Sequence, residues 1–212
     1  MLWIILAIII SYLIGSIPTA YLFVRFLKGT DIRKHGSGNV GATNAMRLLG
    51  KPTGITVLLL DIAKGFVCVF LVGNLLVRWA PALTNEAARI LCGLVCIMGH
   101  NWTIFLQFKG GKGVASTLGV LCALSVKLPG VWIVFCLVLL TWLLVFVISR
   151  IVSLSSIVAL LALPAYLAIF KHSPTLLVLG ILLAALGLLR HKTNLKRILQ
   201  GTEPRLTLKK SR

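Results

Sequence analysis

A glycine- and lysine-rich stretch in the middle of the chain has the composition of an anion-binding loop, namely Lys109, Gly110, Gly111, Lys112 and Gly113. Glycine tolerates positive φ angles, so the backbone amides of such a loop can turn towards a ligand. Consecutive amides flanked by ammonium groups form an anion site, most often for phosphate. Because apolar sequence resumes at Val114, the loop is predicted to lead into a helix N-terminus, whose dipole adds positive potential. A positively charged membrane loop without a ligand is the alternative.

An earlier polar segment is rich in small hydrogen-bonding residues and closes on an arginine. Serine, threonine and asparagine side chains can orient hydroxyl groups, and arginine binds phosphate through two parallel donors. An ordinary flexible polar loop is the alternative interpretation, since these residue types are common in turns. The candidate substrate-binding and catalytic residues of this segment are Ser37, Asn39, Thr43, Asn44 and Arg47.

A third polar group is divided between a serine-rich segment after Arg150 and the basic tail. Its members are Ser153, Ser155, Ser156, His191, Asn194 and Arg197. The last three are spaced i, i+3, i+6, so on a helix they share one face. Two alternatives stay open: the serines can bond backbone carbonyls at a helix start, and the tail can be a basic helix lying against lipid.

Two ionisable residues lie inside an apolar segment, Asp61 and Lys64. Ionisable groups within a membrane are functional candidates by default. Their i, i+3 spacing also allows a pair on one helix, and we favour a structural ion pair that supports the first polar loop.

Neither a cofactor nor a metal ion is expected. Cys92, Cys96 and His100 have helical i, i+4, i+8 spacing, but a zinc site there would lack a fourth ligand and supporting carboxylates. A nucleotide-binding P-loop needs a glycine separated by four residues from its Gly-Lys pair and a Ser or Thr after the lysine. Leu106 and Gly113 occupy those positions.

The composition is that of a polytopic membrane protein: 58% of residues are hydrophobic and only 12% are charged. The net charge of +18, with only four acidic residues, indicates an anionic substrate or anionic lipid. Nucleic acid is not expected as a partner, because the charges lie in short loops between apolar runs.

Seven helical spans are predicted, at residues 2–24, 53–77, 86–99, 113–126, 131–149, 157–170 and 174–189. Pro18 is expected to kink the first of them. Several are shorter than the roughly 20 residues that cross a hydrocarbon core of about 30 Å. A five-span arrangement, with the two shortest segments re-entrant, is therefore an open alternative.

Lysine and arginine concentrate in alternate loops, which predicts the orientation because cytoplasmic loops carry the basic excess. The basic segments are 25–52, 100–112, 150–156 and the tail 190–212. This places the N-terminus outside and the C-terminus in the cytoplasm. Every polar motif described above then lies on the cytoplasmic face.

These motifs together resemble the bacterial acyl-phosphate:glycerol-3-phosphate acyltransferase (PlsY) family, and the resemblance covers nearly the whole chain. Two departures are visible: Thr103 stands where the family commonly has proline, and Ser116 where it commonly has threonine. Thr103 is expected to loosen the turn after His100. The matching residues are Gly36-Ser37-Gly38-Asn39, Gly41-Ala42-Thr43-Asn44, Arg47, Asp61, Lys64-Gly65, Gly99-His100, Phe105-Leu106, Phe108 to Ala115, Ser153 to Ser156, His191, Asn194, Arg197, Gly201 and Glu203.

The resemblance implies a monomeric enzyme of the bacterial cytoplasmic membrane, with residues 1–212 as one all-α domain. Family members transfer a fatty acyl group from acyl phosphate to the 1-hydroxyl of glycerol 3-phosphate. The products are lysophosphatidic acid and phosphate, in the first step of phospholipid synthesis. A membrane transporter or channel for organophosphate anions is the alternative class. Transporters place polar sites near the midplane of repeated halves, whereas this sequence shows no internal repeat.

Residue roles follow from the matching positions. The predicted catalytic residues are His191, Asn194, Ser37 and Arg47, of which the first two orient the substrate near the reacting hydroxyl. A structural role is predicted for Asp61, Lys64, His100 and Glu203. Substrate and phosphate binding are predicted for Asn39, Thr43, Asn44, Lys109, Gly110, Gly111, Lys112, Gly113, Ser155 and Ser156.

Overall fold

The computed structural model describes residues 1–206, and all regular secondary structure in that range is helical. The predicted all-α class is therefore confirmed. A π-helical turn, Cys68–Val72, joins α4 to α5. Residues 207–212, the end of the predicted tail, lie outside the described range. The helices are α1 (Leu2–Ser16), α2 (Thr19–Lys28), α3 (Ala42–Leu49), α4 (Lys51–Val67), α5 (Gly73–Trp79), α6 (Asn85–Asn101), α7 (Val114–Lys127), α8 (Val131–Ser149), α9 (Val152–Ile169), α10 (Pro174–Arg190) and α11 (Lys192–Leu199).

The first apolar segment is broken where proline interrupts it. Only Ile17 and Pro18 separate α1 from α2. Proline has no N–H to donate and its ring clashes with the preceding turn, so the kink predicted at Pro18 is confirmed. The two helices together form an apolar segment of 27 residues, Leu2–Lys28, which is long enough to cross a bilayer.

Five apolar helical segments are long enough to cross a membrane, and a sixth is present if α10 and α11, bent by 65°, count as one span. A multi-pass helical membrane protein is thus confirmed, whereas seven spans and the orientation remain predictions. α7, predicted as a span, has only 14 residues, fewer than the roughly 20 that cross the hydrocarbon core. The five segments are Leu2–Lys28, Lys51–Trp79, Asn85–Leu106, Val131–Ser149 and Val152–Ile169.

The predicted polar break at 150–156 is wrong for most of its length, because α9 already begins at Val152. The serines therefore lie on a helix and not in a loop. The Ser155 hydroxyl donates to the carbonyl oxygen of Ile151 at 2.9 Å, and that of Ser156 donates to the carbonyl oxygen of Val152 at 2.8 Å. Both hydroxyl protons are thus bonded to carbonyl oxygens of the preceding turn of the same helix.

The chain forms two compact units, Met1–Pro129 and Gly130–Arg212. The first contains the two loops predicted to bind phosphate, and the second contains the serine-rich segment and the polar residues of the tail. The assignment of residues 1–212 to one domain remains a prediction.

Glycines in the first unit let helices pack at very short distances. A β-carbon at Gly99 in α6 would overlap the carbonyl oxygen of Tyr12 in α1. Similarly, a β-carbon at Gly119 in α7 would overlap the carbonyl oxygen of Ile62 in α4. Small residues at such crossings are typical of membrane helix pairs. The contacts hold α6 and α7, and therefore both ends of the loop that connects them.

An apolar cluster holds the first polar loop against the helices. Ile32 and Val40 in this loop are buried and pack with side chains of α2, α3 and α4. Burying each such side chain contributes about 1.5–3 kcal/mol. The polar residues that lie between them therefore have a defined backbone position, although the segment contains only one short helical turn, Ile32–Lys34.

In the second unit α9 packs against both α8 and α10. Hydrogen bonds add to the α8–α9 contact: Thr141 and Tyr166 share one at 2.8 Å, and the Trp142 indole donates to the Ser156 hydroxyl at 3.1 Å. At His191 the chain turns from α10 into α11. This arrangement places the polar residues of the tail at the end of α10.

Candidate active site

Asn44 organises the loop that precedes α3. Its side chain is only 1% exposed, and its Oδ1 accepts the Ser37 N–H at 3.1 Å. Its Nδ2 donates to the carbonyl oxygens of His35 and Asn39 at 3.0 and 3.1 Å. Gly36 has a φ of 58°, and a β-carbon there would overlap Asn44 Oδ1. Asn44 was predicted to bind substrate, but its amide is instead bonded to the loop itself.

The loop that Asn44 holds presents polar side chains at the surface. Arg47 on α3 and Ser37 are exposed, whereas Asn39 and Thr43 are half-buried. Within residues 1–206 the Arg47 guanidinium makes no hydrogen bond or ion pair. All five of its N–H donors therefore remain available for an anionic ligand.

The acidic residue in the loop before α3 is already paired with a positive charge. Asp31, in the same loop, pairs with Arg33 at 2.7 Å. The side-chain hydrogen bond from Arg33 lowers the pKa of Asp31 despite the opposing effect of burial. Asp31 therefore stays ionised and paired, and the positive charge of Arg47 is not cancelled by it.

The backbone amides of the glycine–lysine loop do not face an anion as predicted. The Gly110 N–H donates to the carbonyl oxygen of Asn101 at 3.2 Å, and the Gly111 N–H donates to that of His100 at 3.0 Å. These carbonyls end α6, where helix geometry leaves them without intrahelical partners. The prediction that Gly110 and Gly111 supply amides to phosphate is therefore wrong in this conformation.

Positive potential remains at both ends of this loop. Lys109 is exposed and makes no ion pair within residues 1–206. Gly113, with a φ of 77°, precedes the first turn of α7, whose amides have no partners within the helix and whose dipole is positive there. Lys112 is half-buried between them. The groups suited to an anion are thus the two lysines and the helix start.

Gly111 is the point at which the two polar loops meet. A β-carbon on Gly111 would lie 2.8 Å from the carbonyl oxygen of Val40 and would overlap Nε2 of His100. The glycine is therefore required by packing on both sides. It brings the loop that carries Arg47 next to the loop that carries Lys109.

Replacing Gly111 with alanine is expected to raise the KM for a phosphate-bearing substrate about tenfold and to lower thermal stability. The added methyl group must displace either the Val40 backbone or the His100 ring, and overpacking costs about 1–3 kcal/mol. Kinetics and thermal unfolding in detergent measure both effects. Gly29→Asn is the control, because Gly29 has open space around it and asparagine tolerates its left-handed conformation. Unchanged KM and stability in Gly111→Ala would contradict this packing argument.

Asp61 and Lys64 form a buried ion pair with an Nζ–Oδ1 distance of 2.6 Å. Asp61 Oδ1 also accepts the Thr19 hydroxyl at 2.5 Å, and Lys64 donates to the carbonyl oxygen of Ile17 at 2.6 Å. Ile17 and Thr19 flank Pro18, where the first apolar segment breaks. A proline cannot donate a helical hydrogen bond, so the pair stabilises the polar groups exposed by the break.

Three side chains of the second unit converge on Glu203. Its carboxylate accepts from the Ser153 hydroxyl at 2.6 Å, from Asn194 Nδ2 at 2.5 Å and from Arg197 Nε at 2.6 Å. Burial alone would raise the pKa of Glu203, but these hydrogen bonds outweigh it and lower the pKa below its usual value. The hydrogen bond from Asn194 Nδ2 to Glu203 therefore fixes the orientation of the Asn194 amide.

His191 is buried, with 2% of its surface exposed. Its Nδ1 lies 2.8 Å from the carbonyl oxygen of Gly187. A carbonyl only accepts, so Nδ1 carries the proton and, in the neutral ring, Nε2 carries the lone pair. The hydrogen bond to Gly187 thus fixes the orientation of the ring and its tautomer.

Sequence reasoning missed two residues and misjudged a third. The side chain of Asn101 is fully buried beside Gly113, and its amide makes no hydrogen bond within residues 1–206. Thr19 contacts Asp61, but no sequence signal indicated it. Thr103, expected to loosen the turn, instead ties it: its hydroxyl donates to the carbonyl oxygen of Ser16 and accepts the Phe105 N–H.

The helical segments and exposed cations define a multi-pass membrane protein whose polar loops suit an anionic substrate. The glycerol-3-phosphate acyltransferase family model matches residues 5–201. This chain belongs to that family.

Named relatives match over almost their entire length. A glycerol-3-phosphate acyltransferase 2 of Moorella thermoacetica is 46% identical over 95% of this chain and 96% of its own. A glycerol-3-phosphate acyltransferase of Synechocystis is 44% identical over 94% of this chain and 89% of its own. These identities extend the family assignment to nearly the whole sequence.

Crystal structures of PlsY, an integral membrane glycerol 3-phosphate acyltransferase, have the same fold. The glycerol 3-phosphate form superposes with a TM-score of 0.84 at 37% identity, covering 96% of each chain. The lysophosphatidic acid form has a TM-score of 0.81 at 36% identity, covering 96% of this chain and 95% of that one. The family resemblance inferred from the motifs is confirmed.

Proposed function

We propose that this protein transfers a fatty acyl group from acyl phosphate to the 1-hydroxyl of glycerol 3-phosphate. The products are lysophosphatidic acid and inorganic phosphate. The observation that carries the proposal is the match along residues 5–201 to the glycerol-3-phosphate acyltransferase family, supported by a similar structure described as a glycerol 3-phosphate form. Both substrates are anionic, which fits the net charge of +18.

The assay is formation of lysophosphatidic acid from labelled glycerol 3-phosphate by purified protein in detergent. Acyl phosphate, acyl-CoA and acyl carrier protein thioester are supplied in separate reactions, and product is expected with acyl phosphate alone. Comparable rates with acyl-CoA would refute the donor assignment. Absence of product with every donor would refute the acyl transfer itself. Since no compartment is present, product formation also excludes a protein that only transports organophosphates.

The exposed cations supply binding and charge stabilisation. Arg47 and Lys109 bind phosphate groups, with Lys112 and the start of α7 adding positive potential. Charges held in position stabilise the negative charge that develops as phosphate leaves. Holding both substrates together also removes much of the entropic barrier. Asn44 acts by fixing the loop, while Ser37, Asn39 and Thr43 stay candidates for contacts with substrate hydroxyls.

His191 and Asn194 are proposed to act on the glycerol hydroxyl. Nε2 of His191 can accept the hydroxyl proton or a hydrogen bond, and a phosphate oxygen of bound substrate is the alternative proton acceptor. The hydrogen bond from its nitrogen to Glu203 fixes the orientation of the Asn194 amide. Ser155 and Ser156 remain candidates for phosphate contact through their oxygens, although their protons bond the backbone.

Direct transfer without an acyl-enzyme is expected. A serine nucleophile needs an adjacent base. Glu203 accepts the Ser153 hydroxyl, but its further bonds from Asn194 and Arg197 lower its pKa and make the carboxylate a weak base. No histidine in the sequence is followed five positions later by aspartate. Intact-protein mass spectrometry after incubation with acyl phosphate alone is expected to show no added acyl mass. An added mass that glycerol 3-phosphate then removes would contradict direct transfer.

We propose that the protein lies in the bacterial cytoplasmic membrane with its N-terminus outside, its C-terminus inside and its active site facing the cytoplasm. The basic bias of alternate loops supports this orientation. Reporters active on one side only, fused after Lys51, Lys127 or Arg150, are expected to give cytoplasmic, external and cytoplasmic signals, respectively. An external signal from the reporter fused after Lys51 would contradict the proposed orientation.

We also propose that the protein acts as a monomer, with membrane lipid as a further partner. Light scattering of active protein in detergent, corrected for the detergent, is expected to give the mass of one 23.0 kDa chain. Activity confined to a dimer fraction would contradict a monomer.

A further inference from the structure

His100 lies between a buried carboxylate and the glycine–lysine loop. Its Nδ1 is 3.9 Å from Asp61 Oδ1, which is within ion-pair range but too long for a direct hydrogen bond. On the other side of the ring, Nε2 packs so closely on Gly111 that a β-carbon there would overlap it. The backbone of His100 contacts the same glycine, because its carbonyl oxygen accepts the Gly111 N–H at 3.0 Å.

Asp61 is itself held by the interrupted first segment. Thr19 and Lys64 both donate to its Oδ1, and Lys64 also donates to the carbonyl oxygen of Ile17. Both charged side chains are almost fully buried, with 2% of Asp61 and 7% of Lys64 exposed. Electrostatic interactions are stronger in such an environment than in water. The carboxylate is therefore a fixed negative charge facing one edge of the His100 ring.

We propose that Asp61 and His100 are positioning residues for phosphate binding: Asp61 orients the His100 ring, and His100 sets the position of Gly111 and of the lysines on either side of it. The proposal rests on the phosphate-binding role of this loop given above. It goes beyond a structural ion pair, because it couples a charge inside the membrane helices to the affinity of the loop for substrate.

The packing of Gly111 explains why a small movement of the ring matters. The glycine is confined between the His100 ring and the Val40 carbonyl, so displacement of the ring shifts the loop and not only a side chain. Val40 belongs to the loop that leads to Arg47, so a shift at Gly111 also alters the spacing between Arg47 and Lys109. Packed interiors transmit such displacements because they contain few voids.

A double-mutant cycle tests the coupling, since only residues that act together give non-additive effects. The variants are Asp61→Asn, His100→Gln and their combination, with His172→Gln as the matched control. His172 lies in the second unit and contacts Gly130. Glutamine keeps a polar side chain of similar size at position 100, whereas Asp61→Asn leaves Lys64 without its buried partner and is strongly destabilising. Thermal unfolding in detergent checks whether each variant folds.

Each single change is expected to raise the KM for glycerol 3-phosphate or acyl phosphate about tenfold, with a smaller effect on kcat. The KM of the double variant is expected to be no higher than that of the more affected single variant. The effects of His172→Gln and Asp61→Asn on KM are instead expected to add. Stability loss with unchanged KM, or additive effects of Asp61→Asn and His100→Gln, would overturn the proposal. If Asp61→Asn does not fold, KM unchanged in His100→Gln alone overturns it.

A second measurement tests the positioning role of His100 independently of acyl transfer. Inorganic phosphate is expected to protect Lys109 from an amine-reactive label, measured by peptide mass spectrometry, in the wild type and in His172→Gln. Protection is expected to need about tenfold more phosphate in His100→Gln. Equal protection in His100→Gln would overturn the positioning role even if acyl transfer is observed. Reduced protection supports that role even if the protein forms no lysophosphatidic acid.

Discussion

Replacing Arg47 with lysine is expected to lower kcat/KM by about one to two orders of magnitude. Lysine keeps the charge but loses the planar, two-pronged donor group with which arginine binds phosphate. A hydrogen bond to a charged group contributes roughly 1.5–3 kcal/mol, and about 1.4 kcal/mol corresponds to a factor of ten. Losing one such bond therefore accounts for the expected range.

The effect on folding is expected to be small, because the Arg47 side chain is exposed and makes no hydrogen bond or ion pair within residues 1–206. The backbone at this position is held by Asn44 and the α3 helix. Steady-state kinetics with each substrate varied in turn, together with thermal unfolding, separates lost binding from lost structure.

Arg78→Lys is the matched control. Arg78 is exposed at the end of α5, where its guanidinium lies 5.4 Å from the centre of the Trp79 ring. Its replacement is expected to leave kcat/KM within about twofold, since surface substitutions usually change the energy by less than about 0.5 kcal/mol. Equal kinetics for Arg47→Lys and the wild type would favour a polar loop without a ligand.

Replacing Glu203 with glutamine is expected to reduce activity about tenfold or more and to destabilise the tail. The carboxylate accepts bonds from Ser153, Asn194 and Arg197 at once. A glutamine side chain offers only one acceptor oxygen and turns an NH₂ group towards these donors. Donors left without acceptors in a buried site cost about 1–3 kcal/mol each. Asn194 would lose the partner that fixes its amide.

The pH dependence of stability gives a second measurement. The pKa of Glu203 is lower in the folded protein than the ordinary glutamate value of 4.5, so folding favours the ionised form. Its contribution is complete above about pH 4.5 and is lost as the pH falls through the lower folded value. Stability of the wild type should therefore fall more steeply with acidification than that of Glu203→Gln.

Thr202→Ala provides a control for a substitution in the same tail, since the Thr202 hydroxyl donates to the carbonyl oxygen of Arg197 and leaves the Glu203 carboxylate in place. Its acid-dependent loss of stability is expected to follow the wild type. Parallel stability curves for the wild type and Glu203→Gln between about pH 3 and pH 6 would contradict the proposed role of the carboxylate.

Local spacing predicted two arrangements that the structure contains. Asp61 and Lys64, at i, i+3 on one helix, form an ion pair. Asn194 and Arg197 have the same spacing and share one face of α11. The helical period alone brings such side chains together, whereas their common acceptor, Glu203, lies in the chain that follows α11.

The roles of other polar groups could be assigned only once their hydrogen-bond partners were known. The amides of Gly110 and Gly111 are the clearest case, because their acceptors are the carbonyls of His100 and Asn101. Composition indicates that a glycine loop can present amides, but not whether a helix end already uses them. Similarly, the polar type of Asn44 suited substrate binding, whereas its burial beneath the loop reveals a supporting role.

The sequence by itself determined the all-helical membrane class, the kink at Pro18 and the family, and it predicted candidate residues for phosphate binding. These properties depend on hydropathy, residue chemistry and motifs that a linear chain displays. The tertiary structure decided which of those groups remain available and which support the others: Asn44 and the glycine amides bond within the protein, while Arg47 and Lys109 stay exposed. The physical reason is that a hydrogen-bonding group binds the partner closest to it, and the helix crossings at Gly99 and Gly119 bring together partners that are distant in the chain.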